Sequence, residues 1–205
     1  MGVSTNDLAK QNNLDYNVHL DPLAYQMIWD IPCPIYWMPV HDRWEPDWEI
    51  RKDIAISENS SFYRLNQSQL LPKLPDNMKK FYMFMFEKHQ TSDWLTYMEN
   101  ATIDTARFNE ICSRIDEKWC TAGFIHAAGK AVDESGQIFN LKNDSKAKPV
   151  YSFQPIELSC DENSRTNWGY TSQPTNRYIL KVEDLENYQG AMTAALSQLF
   201  MDLGD

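Results

Sequence analysis

The alternation of apolar and polar residues divides the chain into helical and extended stretches. Asp21 followed by Pro22 predicts a helix start, because aspartate caps free N–H groups and proline has none to leave unpaired. The run Pro34-Ile35-Tyr36-Trp37-Met38-Pro39-Val40 reads as extended. From Ser57 to Pro75, Ser, Asn, Gln and Pro dominate, so the stretch reads as an insertion with little regular structure. Asp76 caps a predicted helix through about His89, whose run Phe81-Tyr82-Met83-Phe84-Met85-Phe86 implies burial on more than one side. Ser92 and Asp93 open a shorter helix, and Asp104 opens another with Phe108, Ile111, Cys112 and Ile115 at helical spacing. The small residues between Trp119 and Lys130 suit a helix packed close to a neighbouring backbone. A loop with Asp133, Ser135 and Gly136 follows. Val150 to Phe153, Ile156 to Leu158 and Tyr178 to Val182 predict strands, with a turn at Asn163-Ser164-Arg165. A last helix, about Asp184 to Asp202, puts Tyr188, Met192, Ala195, Leu196 and Leu199 on one face. Helices and strands alternate, which points to an α/β layer architecture.

Length and charge narrow the picture. A chain of 205 residues supports one sizeable core, and residues 1–205 read as a single domain. The net charge of −10 leaves no basic excess to displace counterions, so no nucleic acid partner is expected, and no anionic lipid surface either. No run of about 18 apolar residues occurs, so no membrane span is expected. The first residues lack the basic and apolar regions of a signal peptide. Cys33, Cys112, Cys120 and Cys160 show no C-x-x-C spacing and read as buried, reduced thiols in a cytoplasmic protein.

Several residues are chemically suggestive. Asp15 and Asn17 stand two apart just before the helix at Pro22, on a predicted loop where a carboxylate and an amide would bind hydroxyls. The plain alternative is a capped helix beside a turn. His126, between Ile125 and Ala127, reads as a core histidine or as a proton donor. His41-Asp42 reads as surface loop, since neighbours in an extended segment point opposite ways. Glu45, Asp47 and Glu49 alternate with Trp44 and Trp48, a loop suited to a partner, a metal or a sugar. Cys120 reads as an inert thiol.

The order Asp15-Tyr16-Asn17 then Asp21-Pro22-Leu23-Ala24 resembles the acidic-aromatic-Asn and Asp-Pro-x-Ala signature of nucleoside hydrolases. The strand into Met38-Pro39-Val40 agrees, and Met1-Gly2 is similar to the Met-Gly-Gly segment that precedes the signature. Trp119 to Gly129 resembles the family's late His segment, and Tyr151 to Leu199 its last strands and helix. Residues 41–115 are longer and more aromatic than the family pattern, an insertion in this likeness.

The resemblance implies a mostly parallel open sheet with flanking helices, incomplete at its N-terminal half. It implies hydrolysis of the N-glycosidic bond of ribonucleosides, with Ca²⁺ as the family's metal. By position, Asp15 would accept from the ribose 5′-hydroxyl, and Asn17 would contact the ribose. Asn12 or Asn13 would stand for the Asn just upstream, and His126 would face the leaving base. The family's Asp-rich metal motif is not in the sequence, and Ala127 stands where an Asp ligand follows the His. An alanine methyl cannot join the six to eight oxygens that calcium takes. The isolated chain is therefore expected to be inactive, a C-terminal portion needing a partner chain, a homo-oligomer or a lost half. The alternative is a non-catalytic interaction or structural protein that retains the fold.

Overall fold

The computed structural model describes residues 2, 6, 15–40, 57–86, 93–142 and 147–201. Aspartates set its helix starts. Asp15 caps α1 (Tyr16–Leu20) and Asp21 caps α2 (Pro22–Ile28), accepting from Asn17 and Ala24 N–H at 2.9 Å each. Strands β1 (Ile35–Trp37) and β2 (Tyr63–Asn66) follow, then α3 (Asp76–Phe86). Asp93 caps α4 (Trp94–Asn100), and Asp104 caps α5 (Thr105–Cys112) through two N–H groups. Each such cap is worth about 1 kcal/mol. The rest runs β3 (Ile115–Lys118), α6 (Thr121–Ala127), β4 (Lys130–Val132), β5 (Ile138–Asn140), β6 (Tyr151–Cys160), β7 (Thr166–Tyr170), β8 (Arg177–Val182) and α7 (Tyr188–Met201).

The main sheet has the order β1-β8-β6-β7. Only β1–β8 is parallel, whereas β8–β6 and β6–β7 are antiparallel. The expected mostly parallel open sheet is corrected to a mixed one. The reason is the connection after β6. Residues 161–165 form a tight turn that can only reverse direction, since a parallel return needs a crossover of a dozen residues or more. Asp161 organises this turn by accepting from the Asn163 and Arg165 N–H groups, and Ser164 takes φ 62°.

The two predicted strand pieces around Pro155 are one strand. Tyr151 to Pro155 pairs with β8, and Ile156 to Cys160 pairs with β7. Pro155 has no N–H, so it sits where one ladder ends and the other begins. Asn6 covers the outer edge of β7 with its side-chain amide, donating to Trp168 O at 2.7 Å and accepting from Trp168 N at 2.9 Å.

The stretch Ser57–Pro75 departs most from expectation. It forms β2, paired antiparallel with β3, and two short 3-10 turns. Phe62, Tyr63, Leu65, Leu70, Leu71 and Leu74 from it are fully buried. Its polar residues work locally, as when Asn66 caps the first 3-10 turn through Ser68 N. Ile115 is likewise not the end of a helix but the exposed first residue of β3.

The main core joins this stretch to α7, α6 and one face of the sheet. Tyr188 stands between Tyr63 and Tyr151, edge to face with each at 6.4 Å. All three phenols are partnered: Tyr63 with Thr121 at 2.8 Å, Tyr151 with Ala122 O at 3.1 Å, and Tyr188 with Ser61 O at 2.9 Å. The other sheet face carries a smaller cluster of Trp37, Ile156 and Ile179, with Trp29, Leu158 and Trp168 against it. The α3 run Phe81–Phe86 is buried or half-buried except at Met85. Where close packing to a backbone was expected, α6 instead admits a side chain. A Cβ at Gly123 would stand 2.5 Å from Met38 Cε.

Candidate functional site

A cavity of about 630 Å³ opens beside β1, within the range typical of ligand sites. Its wall comes from α1–α2 (Asp15, Tyr16, Asn17, Tyr25, Ile28, Trp29), from β1 and the residues after it, and from Ser61, Glu117, Trp119 and Cys120. The sequence-predicted Asp15 and Asn17 thus come together in one wall.

Their setting differs from the expected loop. Asn17 lies inside α1 with its side chain exposed. Asp15 is buried at the helix start, and one carboxylate oxygen accepts from Asn17 N–H while the other accepts from Gly2 N–H. A carboxylate oxygen has two lone pairs, so each keeps one for a further donor. Gly2 takes φ +78°, and a Cβ there would sit 2.0 Å from Tyr25 Oη, so this approach requires glycine.

His126 does not line the cavity. It lies on α6 in an aromatic box, 4.7 Å from Tyr36 and 4.4 Å from Phe153 between ring centroids. Tyr36 does line the cavity, so one ring separates His126 from it. Burial pushes the imidazole pKa below its usual value, favouring the neutral ring. Asn12, Asn13, His41-Asp42 and the loop Trp44 to Trp48 lie outside the described residues.

The cysteines are corrected. All four are free, but Cys33 and Cys120 are exposed, Cys160 is half-buried and only Cys112 is buried. Cys120 lines the cavity beside Trp119, whose ring packs against Phe62 at 4.6 Å. Burial, then the Asp161 and Asp30 charges, pushes the Cys160 thiol up to about 11.

Among the described residues no three His, Cys, Asp or Glu side chains gather as a metal group. Among the described residues of the cavity wall only Asp15 and Glu117 carry carboxylates, and Asp15 already serves two backbone N–H groups. These residues do not fit a calcium site.

Sequence reasoning missed the rest of the wall: Tyr16, Tyr25, Trp29, Tyr36, Trp37 and Trp119. Two buried polar atoms there, Tyr25 Oη and Trp29 Nε1, have no hydrogen-bond partner. Thr166 and Trp29 flank the Tyr25 hydroxyl without meeting hydrogen-bond geometry. Leu20 on α1 and Leu23 and Met27 on α2 are exposed, as is Tyr16 in the cavity wall. No described helix is long and apolar enough to cross a membrane. Compared with profiles of protein families, with curated proteins and with solved structures, the chain matches none.

Proposed function

We propose that this chain is the substrate-facing part of a nucleoside hydrolase-like protein, in which Asp15 and Asn17 meet the ribose. The observation that carries the reading is their convergence. Asp15 and Asn17, the residues expected to contact ribose, stand in the same cavity wall as Tyr36, whose ring contacts His126. The Asn17 amide is exposed, and Asp15 retains a lone pair on each oxygen, so both can meet hydroxyls. The Asp-rich motif that would bind Ca²⁺ and activate water must come from another polypeptide segment, so the isolated chain is hydrolytically silent. A reducing cytoplasmic setting suits the four free thiols.

Calorimetric titration with inosine and with uridine tests this. Binding is expected, and Asn17→Ala should weaken it about tenfold, the loss of roughly 1.4 kcal/mol, without changing the melting temperature. Neither nucleoside binding would sink the reading. Base release from either nucleoside by this chain alone with Ca²⁺ would overturn the silent-half assignment.

A second reading, a non-catalytic interaction protein, is favoured by the exposed apolar side chains Tyr16, Leu20, Leu23 and Met27. Large apolar side chains left exposed on neighbouring helices are a common mark of a protein contact. Native mass measurement separates a lone chain from a self-associated one.

A further inference from the structure

We infer that the groove between α7 and the two 3-10 turns is a second binding site, one that takes a small polyhydroxylated carboxylate of sugar-acid size. The inference goes beyond the nucleoside reading, and its described residues are distinct from those of the cavity beside β1.

The groove has a volume of about 390 Å³, within the range of small-molecule sites. Gln69 comes from the first 3-10 turn (Gln67–Gln69) and Lys73 from the second (Leu71–Lys73). Helix α7 supplies Gln189, Gly190, Thr193 and Ser197. The two sides are fixed: Leu70 and Leu71 anchor the turns in the core, and Gln189 ties α7 to β2 by accepting from Arg64 N–H at 3.3 Å.

The first argument is Thr193. It is only 8% exposed, and among the described residues its hydroxyl has no hydrogen-bond partner. A hydroxyl in mid-helix can turn back to the carbonyl of the preceding turn, and Ser197 does so, donating to Thr193 O at 2.9 Å. The Thr193 hydroxyl does not, and it lines the groove, so it is left to give and take a bond with whatever the groove holds. Ser197 has spent its proton and can only accept there, which suits a ligand hydroxyl.

The second argument is Gly190. It lies in ordinary helical backbone at an exposed position, where glycine weakens a helix relative to alanine. No described neighbour stands within 4 Å of the place its Cβ would take, so nothing in the fold requires the glycine. What the missing methyl leaves open is the floor of the groove.

The third argument is the donor set. Lys73 is exposed and has no ion pair among the described residues, whereas Lys79, Lys118 and Lys181 each meet a carboxylate. The Gln189 oxygen is taken by Arg64 N–H, which leaves its NH₂ to donate, and Gln69 brings a second amide. An ammonium beside amide donors matches a carboxylate, and the hydroxyls of Thr193 and Ser197 match ligand hydroxyls.

Calorimetry on the full chain with glucuronate, glucose and glucosamine tests the inference. Glucuronate should bind, glucose about tenfold more weakly, and glucosamine, which brings a cation to Lys73, not at all. Lys73→Met should reduce glucuronate affinity to that of glucose. Thr193→Val keeps the shape and removes the hydroxyl, so it should weaken glucuronate about tenfold without lowering the melting temperature. Gly190→Ala should move the two readouts in opposite directions, raising the melting temperature and weakening glucuronate. A merely structural glycine would not do this. Glucuronate failing to bind, glucosamine binding as well as glucuronate, or Thr193→Val leaving glucuronate affinity unchanged overturns the inference. A native dimer that Gly190→Ala dissociates also overturns it, since the groove would then be a contact between copies.

Discussion

Four tyrosines are buried among the described residues, and they fall into two groups. Tyr63, Tyr151 and Tyr188 sit in the main core, and each hydroxyl has a partner. Tyr25 sits at the cavity, and its hydroxyl has none. The residue type and the degree of burial are alike, so the difference lies in what surrounds the oxygen. The three core hydroxyls are matched, whereas the Tyr25 hydroxyl is packed between Gly2, Trp29 and Thr166. The pKa values do not separate the groups: burial raises every one of the four, Tyr63 to about 12.

The comparison breaks most visibly at Tyr188, the middle ring of the core trio. Tyr188→Ala should cost about 3–5 kcal/mol, since it empties a fully buried aromatic site. That is a large share of a typical stability of about 5–15 kcal/mol, and the urea midpoint reads it. A loss below about 1 kcal/mol would mean that the trio does not anchor the core.

Removing single hydroxyls sharpens the contrast. Tyr151→Phe should cost about 1 kcal/mol, because Ala122 O loses its donor inside the core. Tyr25→Phe should cost nothing measurable or stabilise slightly, since no bond is lost. Equal losses in paired denaturation curves would show that Tyr25 is partnered in solution and would erase the distinction.

The smallest effect concerns pH. The His126 pKa is lowered in the fold by burial, so the unfolded chain takes up its proton first as pH falls. Stability should therefore drop as pH falls below about 6.5 and stop changing, for this group, once the lowered folded value is passed. His126→Phe keeps a ring against Tyr36 and Phe153 and should remove that part of the slope. A midpoint-against-pH curve unchanged by the substitution would show that the imidazole titrates freely.

The sequence made the helix caps legible, because a cap is a local event. Asp21, Asp93 and Asp104 each bond an N–H two or three residues on, and the residue types say so. Asp15 and Asn17 were legible as a pair, being neighbours in the chain. What stayed hidden was non-local. The strand Tyr63-Arg64-Leu65-Asn66 alternates correctly, but polar neighbours mask it and its partner lies about fifty residues away at Ile115–Lys118. The cavity wall was hidden for the same reason, since Ser61, Glu117, Trp119 and Cys120 meet α1 and α2 only in the folded chain.

The segment linking α2 to β1 is held by two neighbouring side chains, Asn176 and Arg177. Arg177 on β8 donates to the backbone carbonyls of Trp29, Ile31 and Cys33. No carboxylate is among its described partners, so the clamp is made of peptide dipoles around a cation that keeps its proton. Nothing in it changes charge where carboxylates and imidazoles titrate. The segment beside the cavity is therefore held by a brace blind to acidity, even though the protein around it carries a large negative charge. Any acid sensitivity of ligand binding must then come from the groups that face the ligand.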